Sequence, residues 1–168
     1  LAFYHPDDPV ELKNEQADKF RTLYEAARKV GRELLVEIIC SKNGPVEDDT
    51  TARAMTELYD RGIRPDWWKL EPQKSHAAWS NIEAVIDKYD QHCRGIVLLG
   101  LDAPEDELSA SFATTAGHKW IKGFAVGRTI FGQTAQDWLT GKLSDDDAVN
   151  QMAEKFGKLT RIWQGVNH

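Results

Sequence analysis

Lys69 lies in Pro65-Asp66-Trp67-Trp68-Lys69-Leu70-Glu71-Pro72, a short apolar stretch with the length of a buried strand. Such a strand offers a lysine no packing role. Its ammonium must be desolvated there, and burial pushes a lysine pKa down toward neutrality. A neutral amine is the nucleophile that forms a Schiff base with a ketone. The competing structural reading is a lysine whose stem packs on Trp67 while its head reaches water.

A second charge occupies a neighbouring apolar stretch: Glu37, within Leu34-Leu35-Val36-Glu37-Ile38-Ile39. Side chains alternate along a strand, so Glu37 and Lys69 share the odd face with Leu35, Ile39, Trp67 and Glu71. With that face turned inward, a carboxylate and an amine meet from adjacent strands. Opposite charges on successive apolar strands point to a site, against the alternative of a buried ion pair that stabilises little.

A third stretch, Gly123-Phe124-Ala125-Val126-Gly127-Arg128-Thr129, suits a phosphate. Alternation of Gly123, Ala125 and Gly127 leaves one strand face nearly bare. N–H groups around Gly127, the following helix start and the Arg128 guanidinium would together hold an anion. The alternative is a strand packed closely on a helix, with Arg128 a surface ion. Gly100 ends another strand, with Asp102 just beyond, and His5 closes the first strand within reach of the site. His76, His92, His118 and His168 show no metal-ligand spacing, and the first three read as solvated. Asp7 and Asp8 read as turn formers.

The positioning elements follow from apolar periodicity. Leu1 to Tyr4 reads as a strand end. Phe20, Leu23, Tyr24, Ala27 and Val30 form a helix stripe that stops at Gly31. Glu33 to Cys40 is the second strand and Asp48 to Tyr59 a helix. Asp66 to Leu70 is the third strand. Ser75 caps a helix carrying Trp79, Ile82, Val85, Ile86 and Tyr89. Gly95 to Gly100 is the fourth strand, whose continuous apolar run predicts burial on both faces. A helix opens at Asp102-Ala103-Pro104 and closes by Gly117. The fifth strand spans about Trp120 to Val126. A short helix follows around Ala135, Trp138 and Leu139. The last starts at Ser144 with Val149, Met152, Phe156, Leu159 and Trp163 as its buried stripe. The six tryptophans read as core.

Repeated strand–helix units predict an α/β fold with a parallel sheet. A doubly wound sheet and part of a (β/α)₈ barrel both fit, and both place the site at the C-terminal strand ends. Five units cannot close an eight-stranded barrel, which takes about 250 residues. The chain of 168 residues reads as one domain. Its opening on Leu1-Ala2-Phe3-Tyr4 suggests a piece that lacks N-terminal strands. Net charge is -6 and no basic patch appears, which argues against nucleic acid as a partner. No apolar run reaches the ~20 residues that span a bilayer. Cys40 and Cys93 predict free thiols in a reducing cytoplasm.

The stretches at 34–39, 66–71 and 123–128 resemble the last strands of class I aldolases of the tagatose-bisphosphate type. Phe-Tyr-His-Pro-Asp-Asp-Pro at 3–9, Gly-Ile-Arg-Pro-Asp-Trp-Trp-Lys-Leu at 62–70 and Val-Gly-Arg-Thr-Ile-Phe-Gly at 126–132 are similar to a narrower group. That group is the aldolase-like domain fused to, or encoded beside, 5-dehydro-2-deoxygluconokinase in myo-inositol catabolism. The resemblance implies that the chain forms the C-terminal part, about five strands, of a TIM barrel. It implies Lys69 as the Schiff-base lysine and Glu37 as the acid/base. Gly100, Gly127 and Arg128 would surround the substrate phosphate. No cofactor and no metal is implied. The implied reaction cleaves 5-dehydro-2-deoxy-6-phosphogluconate to dihydroxyacetone phosphate and malonate semialdehyde. Implied partners are that phosphorylated sugar acid and a fused or neighbouring sugar kinase. Missing strands leave two sheet edges open, which predicts preceding residues in a longer protein or association into a homo-oligomer. The competing function is a non-catalytic phosphosugar-binding domain beside a kinase. A third is another phosphate-binding barrel enzyme, such as an isomerase.

Overall fold

The computed structural model describes residues 1–101 and 103–167; Asp102 and His168 lie outside the described residues. Strands β1 (Ala2–Phe3), β2 (Leu35–Ile39), β3 (Trp67–Leu70), β4 (Gly95–Leu98) and β5 (Ile121–Phe124) alternate with helices. These are α1 (Val10–Lys29), α2 (Thr50–Asp60), α3 (His76–Tyr89) and α4 (Glu105–Phe112), followed after β5 by α5 (Arg128–Leu139) and α6 (Asp145–Asn167).

All strand pairs are parallel and the sheet order is β1-β2-β3-β4-β5. A doubly wound sheet reverses its strand order at a switch point. This sheet has no reversal, so the topology is that of a barrel rather than a doubly wound fold.

The two sheet faces differ. Val36, Ile38, Trp68, Leu70, Ile96 and Leu98 are buried and cluster with Met55, Leu58, Trp79, Ile82 and Ile86 of α2 and α3. On the opposite face Leu35 is exposed, while Trp67, Lys69 and Val97 are only part-buried. On β4 and just beyond it, Gly95 and Leu99 are buried on this face too and only Val97 is part-buried, so the continuous apolar run is covered on both sides except at that one position.

A bulge re-aims the last strand. Ile96 pairs with Ile121, and the register then shifts so that Val97 pairs with Gly123. Lys122 is the extra residue, and its stem crosses Gly95. A Cβ on Gly95 would lie 2.4 Å from Lys122 Cγ, and its φ of 146° also favours glycine.

Two helix stripes differ from expectation. In α1, Ala17 and Phe20 are buried, but Leu23 and Val30 are exposed. The strand beside α1 is the outermost one, so the helix has little to pack on beyond its Ala17–Phe20 line. In α6, Ala148 and Leu159 are buried while Val149 and Phe156 are exposed. Trp163 instead meets the Phe112 and Phe124 rings at 5.1 and 5.9 Å. Among the tryptophans, Trp68 and Trp79 are core, whereas Trp138 is exposed and its Nε1 donates to Asp145 at 2.7 Å. The predicted short helix at Ala135 begins earlier, at Arg128. Among the described residues no helix is long and apolar enough to cross a membrane.

Candidate active site

The parallel register sets Glu37 opposite Lys69, Lys69 opposite Val97, and Val97 opposite Gly123. One transverse row therefore runs carboxylate, amine, small apolar residue and bare backbone. Lys69 Nζ lies 3.3 Å from Glu37 Oε2. The two side chains are 23% and 18% exposed, so the ammonium is part-buried rather than sealed as the sequence suggested. At Gly123 a Cβ would meet nothing within 4 Å, and a cleft opens beside Glu37 and Lys69 at the C-terminal ends of the strands.

That cleft has a volume of about 400 Å³ and is lined by Glu37, Lys69, Gly100, Gly127 and Arg128. Five of the six residues expected from sequence thus meet in one place. Side chains crowd Gly100, while Gly127 faces only the edge of the exposed Phe131 ring. A Cβ on Gly100 would lie 2.8 Å from Val126 Cγ1, and one on Gly127 would lie 2.9 Å from Phe131 Cε1. The end of β4 and the turn into α5 therefore pack backbone to side chain. Ala125 N donates to Leu98 O at 2.7 Å and Thr129 Oγ1 to Ala103 O at 3.1 Å, which hold this corner together.

Arg128 is the first residue of α5, and Gly127 precedes it. The first N–H groups of a helix lack intrahelical acceptors, and the helix dipole favours an anion there. Together with the guanidinium, this end of the cleft suits a phosphate.

His5 is placed elsewhere. It is buried, with Nε2 2.9 Å from Pro45 O and Nδ1 accepting from Asp7 N at 3.2 Å. It does not line the cleft; it packs under the β2–α2 loop, where a Cβ on Gly44 would meet its ring at 3.1 Å. Asp102 falls outside the described residues. His118 is not a solvated histidine: its Nδ1 lies 2.9 Å from Glu83 Oε2 and its Nε2 3.2 Å from His76 Nδ1. This pair joins α3 to the approach of β5.

Sequence reasoning missed Leu101, Thr129 and Phe131, which also line the cleft. Leu101 has φ of 48°, a left-handed backbone at a non-glycine residue, which no periodicity signals. Thr129 had a signal, since it directly follows Arg128 at the helix start. The surroundings of Glu71 were missed as well. Its carboxylate is buried and accepts from Cys40 N at 2.7 Å, from Ser41 N at 3.1 Å and from Ser41 Oγ. Burial, reinforced by this carboxylate, pushes the Cys40 thiol up to about 12, so it stays protonated at neutral pH. Burial likewise raises Cys93 to about 11.

The fold is shared with a solved structure of fructose-bisphosphate aldolase from Plasmodium falciparum, in complex with TRAP and a small-molecule inhibitor. The TM-score is 0.66 at 12% sequence identity. The match covers 96% of this chain and 53% of that one, so the chain spans about half the aldolase's length. No curated protein matches the sequence. The family model described as "Uncharacterized protein conserved in bacteria (DUF2090)" matches residues 1–167, and the chain belongs to that family.

Proposed function

We propose that the protein is a Schiff-base (class I) aldolase, a carbon–carbon lyase acting on a phosphorylated keto-sugar acid. The observation that carries this reading is the Glu37–Lys69 pair at 3.3 Å in the cleft that also holds Gly127 and Arg128. The aldolase fold of the solved neighbour supports it.

In this mechanism Glu37 takes a proton from the Lys69 ammonium, the freed amine adds to the substrate ketone, and Glu37 returns that proton to the carbinolamine hydroxyl, which leaves as water and gives the iminium. Glu37 accepts the proton of the hydroxyl two carbons away. That oxygen becomes the aldehyde carbonyl as the intervening C–C bond breaks. The bonding pair moves to the iminium nitrogen and forms an enamine. Glu37 returns the proton to the enamine carbon, and water then hydrolyses the imine and frees Lys69. The α5 end of the cleft holds the phosphate, which fixes the ketone over Lys69.

The substrate we assign is 5-dehydro-2-deoxy-6-phosphogluconate, cleaved to dihydroxyacetone phosphate and malonate semialdehyde. Its ketone stands next to the phosphorylated carbon, which suits a cleft lined by both Lys69 and Arg128. On this reading the protein acts in the cytoplasm, in myo-inositol catabolism, beside a sugar kinase that makes this substrate by phosphorylating the free sugar acid. A coupled assay for dihydroxyacetone phosphate tests it. Release from the wild type and none from Lys69→Ala is expected. Tight phosphosugar binding without release would leave a binding domain in its place.

A further inference from the structure

The β2–β3 ladder runs from Leu35 opposite Trp67 to Ile38 opposite Leu70 and stops there. One residue later the Glu71 side chain takes over. Cys40 N and Ser41 N, which a continued strand would pair with a carbonyl, donate instead to one oxygen of the Glu71 carboxylate. Ser41 Oγ donates to the other. Glu71 is 6% exposed, so these bonds are shielded from water. They fasten the end of β2 three residues beyond Glu37 to the end of β3 two residues beyond Lys69. Ser41 and Glu71 also line a second cleft of about 430 Å³, with Gln73 and Lys74.

We infer that Glu71 is a positioning residue: by clamping Cys40 and Ser41 it holds the Glu37 carboxylate against Lys69 Nζ. It touches no reacting atom. Its role rests on the aldolase reading of Glu37 and Lys69. Without the clamp, β2 beyond Ile38 is held only by its pairing with β1, and the Glu37 carboxylate loses the rigid strand end that limits its excursions from the amine. A 1 Å displacement of a catalytic group costs on the order of 10²-fold in rate.

The test uses Glu71→Gln and Ser41→Ala, with Glu37→Gln as reference. Borohydride trapping of the Lys69 imine gives the rate of imine formation, and steady-state kinetics separate kcat from KM. Competitive amine labelling of Lys69 across pH reports the Glu37 contact whether or not the protein is an aldolase. Expected are a drop in trapping rate and kcat of tenfold or more in Glu71→Gln, a smaller drop in Ser41→Ala, and an unchanged phosphosugar KM. The Lys69 labelling profile of both should move toward that of Glu37→Gln. Should Glu71→Gln fail to fold, Ser41→Ala removes one donor of three and carries the test. A wild type that traps no adduct would end the aldolase reading, and the labelling profile would still decide the clamp. Labelling and trapping equal to wild type in folded variants would overturn it.

Discussion

Glu37 and Lys69 are direct register partners on adjacent parallel strands, with Oε2 3.3 Å from Nζ. No turn or loop intervenes, so the strand ladder sets the two backbones opposite each other. Helix-packed neighbours on the opposite face, Val36, Ile38, Trp68 and Leu70, are all buried and keep both strands from rotating. Lys69→Ala should therefore abolish cleavage while the fold persists, because the substituted side chain is not in the core. Glu37→Gln should lower kcat by about 10²–10⁴-fold, the usual contribution of a general acid/base. Circular dichroism beside the kinetics checks both; equal kcat in Glu37→Gln would remove that residue from proton transfer.

Arg128, at the start of α5, lines the cleft, and on the proposed function it binds the substrate phosphate. A charge-assisted hydrogen bond contributes roughly 1.5–3 kcal/mol, so Arg128→Ala should raise the phosphosugar KM roughly 10- to 150-fold. Arg128→Lys should recover only part of this, since an ammonium lacks the planar fork. Titration with inorganic phosphate by calorimetry gives the same comparison without turnover. Unchanged affinity in Arg128→Ala would move the phosphate elsewhere.

Core stability should depend on Trp68. It is fully buried, its ring centroid lies 5.5 Å from that of Tyr59, and its Nε1 donates to Tyr59 Oη at 2.8 Å. Trp68→Ala should cost about 3–5 kcal/mol from the lost contacts and the cavity. Chemical denaturation measures it; a loss below ~1 kcal/mol would mean that the core closes over the gap.

Asp66 makes a pH-dependent contribution. Burial works against its ionisation, but the Arg28 guanidinium at 2.6 Å and Leu34 N at 2.8 Å hold its carboxyl below the usual range. A depressed value means that the folded state binds its proton less readily than the unfolded chain, whose carboxyl titrates near ~3.9. The contribution is thus complete above that unfolded value and fades as pH falls through the folded one. Asp66→Asn should destabilise at pH 7 and lose its effect in strong acid. An Asp66→Asn penalty independent of pH would contradict this.

Among the described residues, edge strands β1 and β5 each have one paired side only, and Leu1, Phe3, Phe131 and Phe156 are exposed beside them. Unpaired edges with apolar neighbours favour pairing with another chain. The 168-residue chain should run above its 19.0 kDa mass in light scattering at micromolar concentration. A clean monomer would show that the edges are tolerated.

The Glu37–Lys69 pairing was legible because two simple regularities coincide. Period-two alternation put Glu37 and Lys69 on one face, and apolar flanks fixed both segments as strands. Gly100, Gly127 and Arg128 followed from the rule that such sheets act at their C-terminal ends. Other features depend on contacts distant in sequence. Lys122 bulges because Gly95, 27 residues earlier, leaves room for its stem. His5 sits at a strand end, as expected, but is spent on Pro45 O in a loop that no local pattern places over it. Leu23 and Phe156 belong to stripes of correct spacing on helices beside the sheet edges, where spacing alone does not show how much surface there is to cover.

Imine formation at Lys69 leaves a chemical trace that reduction makes permanent. The protein is incubated with dihydroxyacetone phosphate, reduced with borohydride and digested, and the modified peptide is found by mass spectrometry. A reduced three-carbon phosphate adduct on Lys69, absent from Lys69→Ala, is the expected result. An unmodified Lys69 in folded protein that still binds the phosphosugar would contradict it.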